Sequence, residues 1–154
     1  MKFQDHVWEE TGRKRRILDK KSSHSNLGQG EKSKLTKLCN TILASDTTIL
    51  SLIISNSEGE VLGRAQGAEY DKVYHKKTAN VRSYAGAWGA VIMGIEEKNT
   101  SFGRTEYVLR SHARAKILMV PFQRKDFTMS LLIKKSGDPE ALVSKIETLL
   151  KKQV

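Results

Sequence analysis

Apolar residues at Leu35, Leu38, Cys39, Ile42 and Leu43 recur at i, i+3, i+4, i+7 and i+8, which predicts an amphipathic helix over Lys34 to Leu43. Cys39 lies on the apolar stripe and reads as a core residue. Thr47 to Ser55 (TTILSLIIS) is β-branched and almost continuously apolar, as expected of a strand covered on both faces. The turn signal NSEGE and the run VLGRA complete a hairpin. Three more strands follow later: Thr105 to Arg110 (TEYVLR), Lys116 to Phe122 (KILMVPF) and Phe127 to Ile133 (FTMSLLI). Their linkers SHARA and QRKD are short and polar, so an antiparallel meander is expected. Pro121 lacks a ladder donor, which places that strand end at a bulge or at the margin of the sheet. Asp138 as N-cap, Pro139 at the first helical position and Glu140 announce a last helix, whose face carries Leu142, Ile146, Leu149 and Leu150. Lys151 and Lys152 close it.

Between the hairpin and the meander, about Asp71 to Lys98 reads as one long helix. At about 100° per residue, Tyr74, Thr78, Val81, Ala85, Trp88, Ile92 and Ile95 form the stripe expected to face the sheet. The opposite side is unusual: Ala79, Ser83, Gly86, Ala90 and, slightly off line, Gly94 are small and uncharged, with Lys72, Lys76 and Glu97 only toward the ends. Glycine costs about 0.5 to 1 kcal/mol relative to alanine inside a helix, so Gly86, Gly89 and Gly94 need an offsetting contact. Small residues let another backbone approach closely, as membrane helices illustrate. The same helix of a second copy about a two-fold axis would supply it; a terminal helix or the N-terminal arm of the same chain is the alternative. The element order is α-β-β-α-β-β-β-α. It predicts an α+β sandwich with a five-stranded, mainly antiparallel sheet, the long helix on one face and the terminal helices on the other.

This order, the hairpin ILSLIISNSEGEVLGRA, the helix NVRSYAGAWGAVIMGIEE and the meander YVLR, KILMVPF, FTMSLLI before a capped helix resemble the Roadblock domain family, a Roadblock/profilin-like sandwich. The family includes the dynein light chain Roadblock, MglB and Ragulator subunits. The resemblance covers about residues 33 to 152 and rests on pattern and order. It implies a homodimer, or a heterodimer with a related domain, in which long helices pair and third strands join into one sheet. The contacts would then be Ala79, Ser83, Gly86, Ala90 and Gly94. It also implies a non-enzymatic platform or regulator for small Ras-like GTPases, with no catalytic residues, metal or cofactor to carry over.

Composition adds a second possibility. The 154 residues suit one domain, and 27 Lys and Arg against 17 Asp and Glu give a formal charge of +10, which favours acidic partners. Residues 1–30 read as a basic, flexible arm before the domain at 31–154, although Phe3, Val7 and Trp8 could form a short docking helix. Arg13, Lys14, Arg15, Arg16, Lys20 and Lys21 could hold phosphates with a strong salt dependence. An RNA- or ribosome-associated protein is therefore the alternative function, although no row of exposed aromatics for base stacking is evident. One cysteine excludes an internal disulfide, and no apolar run reaches the roughly 18 residues of a membrane span, so a cytoplasmic protein is expected. His6, His24, His75 and His112 lack metal-ligand spacing. NLGQGEKS has glutamate at Glu31 where a phosphate-binding loop needs glycine before lysine, and polar residues where it needs a strand. Glu96 and Glu97 beside Lys98 read as a solvated helix end rather than an acid and base pair.

Overall fold

The computed structural model describes residues 27–73, 101, 103, 105–122 and 127–152. In chain order they form α1 (Gln29–Ser45), β1 (Ile49–Asn56), β2 (Val61–Gln66), a single helical turn α2 (Tyr70–Val73), β3 (Val108–Ser111), β4 (Ala115–Pro121), β5 (Phe127–Lys134) and α3 (Pro139–Lys152). The five strands make one sheet in the order β2-β1-β5-β4-β3, with every neighbouring pair antiparallel. The architecture is the α+β sheet expected from the sequence. Residues 74–100, where the rest of the long helix is expected, lie outside the described residues.

Helix α1 extends beyond the periodic segment at both ends and begins after Gly28. Leu38, Cys39 and Ile42 are buried, and Leu35 and Leu43 pack against the same core. Helix α3 follows its sequence signals: Asp138 Oδ1 accepts hydrogen bonds from the Glu140 and Ala141 amides at 3.1 and 3.4 Å, and Leu142, Val143 and Ile146 are buried. Both helices contribute to one apolar cluster with Leu52 and Ile54 of β1, Leu118 and Val120 of β4, and Phe127, Met129, Leu131 and Ile133 of β5. In β5 and β4 these are alternate residues, hence one face of the sheet. The two terminal helices therefore share a face. Complete burial of a leucine or isoleucine there contributes about 1.5 to 3 kcal/mol.

Two close fits set the β1-β2 hairpin. Its three-residue connection ends at Gly59 with φ +82°, and the Asn56 amide bonds the Glu60 carbonyl at 3.0 Å. Asn56 Oδ1 accepts from the Glu58 and Glu60 amides, so the turn is satisfied by its own side chain. Gly63 lies against α1: a Cβ there would stand 2.9 Å from the Leu35 carbonyl carbon. The register slips once beside this turn, where Leu62 is the extra residue, and once at Leu50, near the start of β1.

Strand β3 is shorter than the sequence suggests, beginning at Val108 rather than Thr105. Pro121 explains the difference. His112 donates its amide to the Ala115 carbonyl at 2.9 Å, and continuing the alternate bonded pairs of this register reaches Val108 with Met119 and then Glu106 with Pro121. Proline has no amide hydrogen for that last pair, so the ladder stops there.

Candidate functional site

The second face of the sheet carries the other set of alternating residues. Register places Gln66, Ser51, Leu132, Ile117 and Arg110 in one row across all five strands, and Arg64, Ile53, Ser130, Met119 and Val108 in the next. A third, partial row holds Ser55, Thr128 and Pro121. This face thus mixes the hydroxyls of Ser55, Thr128 and Ser130 with Ile53, Met119, Ile117 and Leu132, where the helix-bearing face is apolar throughout its centre. It is also buried: Ser55 is 0% exposed, Thr128 3% and Ser130 4%. Among the described residues, Ser55 Oγ and Ser130 Oγ are the buried side-chain oxygens without a hydrogen-bond partner. Leaving such a group unpaired costs about 1 to 3 kcal/mol.

Around this face lie two features that could receive a partner. Among the described residues strand β3 is paired only on its β4 side, so its outer backbone groups form a sheet edge there. Its own Leu109, on the helix-bearing face, is the one exposed large apolar residue among those described, at 38%. At the other edge, Asn40, Ser51, Ile53, Arg64, Gln66 and Tyr70 line an open pocket of about 330 Å³. The pocket offers amide, hydroxyl and guanidinium groups, without a carboxylate or histidine among these residues to move a proton.

The titratable groups are structural in the same sense. Burial pushes the Cys39 thiol up to about 12, so it remains a protonated core residue. Burial opposes ionisation of Asp46, but hydrogen bonds from Lys145 and from the Thr48 hydroxyl and amide outweigh it and hold the carboxyl down at about 2. Lys145 Nζ stands 2.7 Å from Asp46 Oδ2 and also donates to the Ser45 carbonyl, tying α3 to the end of α1. Desolvation, reinforced by the Glu140 carboxylate, raises the pKa of the Tyr107 phenol. Among the described residues no three His, Cys, Asp or Glu side chains converge as a metal site, and no helix is long and apolar enough to cross a membrane.

The residues singled out from sequence for pairing, Ala79, Ser83, Gly86, Ala90 and Gly94, lie outside the described residues, as do Arg13, Lys14, Arg15, Arg16, Lys20 and Lys21 of the basic arm. Of the histidines, His112 is described, at the exposed β3-β4 connection. Gly30, Glu31, Lys32 and Ser33 are part of α1, so the glycine-rich stretch is a helix start rather than a phosphate cradle. The hydroxyl rows were not anticipated. The alternation of FTMSLLI would have indicated them, since Thr128 and Ser130 occupy one parity and Phe127, Met129 and Leu131 the other.

No family model and no curated protein matches the chain. Solved structures do. A Roadblock/LC7 domain from Streptomyces avermitilis aligns with a TM-score of 0.57 at 11% identity, covering 77% of this chain and 92% of that one. Myxococcus xanthus MglB aligns with 0.57 at 12%, covering 80% and 89%. The gliding protein MglB from Thermus thermophilus aligns with 0.57 at 7%, covering 79% and 89%. These likenesses concern backbone arrangement, and they give the chain a Roadblock-like fold.

Proposed function

We propose, from this Roadblock-like fold, that the protein is a non-enzymatic, dimeric regulatory or scaffold module of the cytoplasm that binds or regulates a small Ras-like GTPase. The observation that supports the reading is the distribution of helices: among the described residues α1 and α3 share one face of the sheet, which leaves the buried second face to the helix expected over 71–98, while β3 stands at the edge of the sheet. The similarity to MglB structures supports it, including one described as MglB with a tetrameric arrangement, at 6% identity and a TM-score of 0.54. In this reading the helix over 71–98 meets its counterpart through Ala79, Ser83, Gly86, Ala90 and Gly94, and the third strands of two copies continue the sheet.

Solution mass tests the dimer. Light scattering over a concentration series should give twice the chain mass for wild type, and Gly86→Leu should lower it toward the monomer by separating the two helix backbones. A monomeric wild type would overturn the dimer. The regulatory part is tested by single-turnover GTP hydrolysis and nucleotide exchange of Ras-like GTPases from the same genome, with and without the protein. A change in either rate that survives deletion of residues 1–30 is expected; RNA binding that disappears with those residues would favour the alternative.

A further inference from the structure

One end of the sheet gathers positive charge that no part of the proposed function uses. The β3-β4 connection exposes His112 and Arg114, and the strands on either side of it bring Arg110 and Lys116. The end of β5 adds Lys134, which pairs in register with Ala115, and the β5-α3 connection adds Lys135. Two hydrogen-bond sets join these connections into one surface. Lys135 Nζ donates to Ser111 Oγ at 2.5 Å and to the His112 carbonyl at 2.6 Å, and Lys116 Nζ donates to the Gly137 carbonyl at 2.9 Å.

Two acids stand at this end, and one of them, Glu69, offsets the charge of Lys134. The other, Asp138, caps α3. The oxygens that hold Lys116 and Lys135 are neutral, so hydrogen bonding fixes these ammonium groups without cancelling their charge. Among the described residues no carboxylate pairs with Arg114, Lys116 or Lys135. Asp46 and Lys145 balance each other. A basic end is thus presented by two loops braced against each other.

The geometry points to this end of the sheet, centred on Arg114, Lys116 and Lys135, as a contact surface for an anionic lipid bilayer. Arg114 and Lys135 sit on exposed connections and Lys116 at the half-buried start of β4, and none of the three lines the described pocket at Asn40, Arg64 and Tyr70. A planar array of negative headgroups can meet scattered loop cations without a shaped cleft. Among the described residues the patch offers no exposed aromatic side chain on which a nucleic-acid base could stack, since Tyr70, packed with Ala115, is buried. Attraction of this kind accumulates charge by charge and fades within about a Debye length of 8 to 10 Å at physiological salt.

The test is co-sedimentation of the full chain with phosphatidylcholine vesicles, with and without phosphatidylserine. Binding is expected only to the phosphatidylserine vesicles, and to fall as salt rises. Lys135→Gln, which keeps a hydrogen-bond donor, should weaken it about five-fold, and Arg114→Glu about twenty-five-fold. Lys37→Glu is the control, on exposed α1 at the β2 edge, with four strand spacings of about 4.8 Å separating β2 from β3. It should change binding by less than about two-fold. Thermal melts of the three variants establish that each is folded. Equal losses in Arg114→Glu and Lys37→Glu would reduce the effect to net charge and overturn the assignment. So would equal binding to pure phosphatidylcholine, unchanged binding by Arg114→Glu, or a loss confined to a uridine oligonucleotide used in place of vesicles.

Discussion

The two faces of the sheet solve different problems with the same five strands. On the helix-bearing face, Leu52, Leu131 and Leu118 form a continuous apolar row, and α1 and α3 seal it. One residue along each strand, Ile53, Ser130 and Met119 form the neighbouring row on the second face. The first face is filled by interdigitating branched chains and depends on volume. The second sets small hydroxylated residues among large apolar ones, and its buried hydroxyls Ser55 and Ser130 lack partners among the described residues. Nothing about stability alone requires serine there, whereas a surface that must accept another backbone closely gains from small side chains.

Substitutions on the two faces should therefore differ in size and even in sign. Leu131→Ala, at a position 0% exposed in the central strand, should lose about 2 to 5 kcal/mol in urea unfolding, through lost transfer energy and the cavity left behind. A loss below about 1 kcal/mol would mean that this face relaxes into the void and is less tightly packed than its burial implies. Gly63→Ala comes next. Its Cβ would meet the Leu35 carbonyl carbon at 2.9 Å and the carbonyl oxygen at 3.1 Å, both backbone atoms of α1, so the helix must move. About 1 to 3 kcal/mol is expected, read from the same unfolding curves, and an unchanged midpoint would contradict the close approach of α1 to β2.

Asp46 tests the polar border of the helix-bearing face, where side chains do find partners. Asp46→Asn keeps an acceptor for Thr48 but removes the charge opposite Lys145, and should cost about 0.5 to 1.5 kcal/mol near neutral pH. Its folded pKa of about 2 lies below the unfolded value of about 3.9, so the wild-type advantage is complete above about pH 4 and shrinks as pH falls through about 2. Paired urea titrations of wild type and variant should show the gap closing in that window. A constant gap would assign the effect to packing instead of charge.

The helix-bearing face was legible in the sequence because its signals are local. The period of Leu35, Leu38 and Ile42, the alternation of β5 and the Asp138-Pro139 cap each act within a few residues, and each element formed where they indicated. Pairing of β1 with β5 was not legible: it joins strands more than 70 residues apart, and no short pattern encodes it. Nor were the bulges at Leu50 and Leu62, which only become visible once both strands are in register. The basic end was missed for a related reason. Arg110, His112, Arg114 and Lys116 stand at alternate positions in RSHARAK and read as an ordinary polar linker until Lys134 and Lys135 are brought beside them.

The smallest effect sharpens the comparison most. Ser130→Ala removes a hydroxyl that is 4% exposed and unpartnered, so the folded state loses an unsatisfied polar group while the unfolded state loses only a hydrated one. Stability should stay level or rise by up to about 1 kcal/mol, in contrast to the large loss at Leu131 next along the strand. Ser130→Val would then separate polarity from volume: if the small side chain between Ile53 and Met119 is needed for close approach of another backbone, the branched side chain should destabilise where alanine does not. If Ser130→Ala instead cost more than about 1 kcal/mol, the hydroxyl would have to be hydrogen-bonded in solution, and the second face would be held by specific polar contacts and not by its smallness.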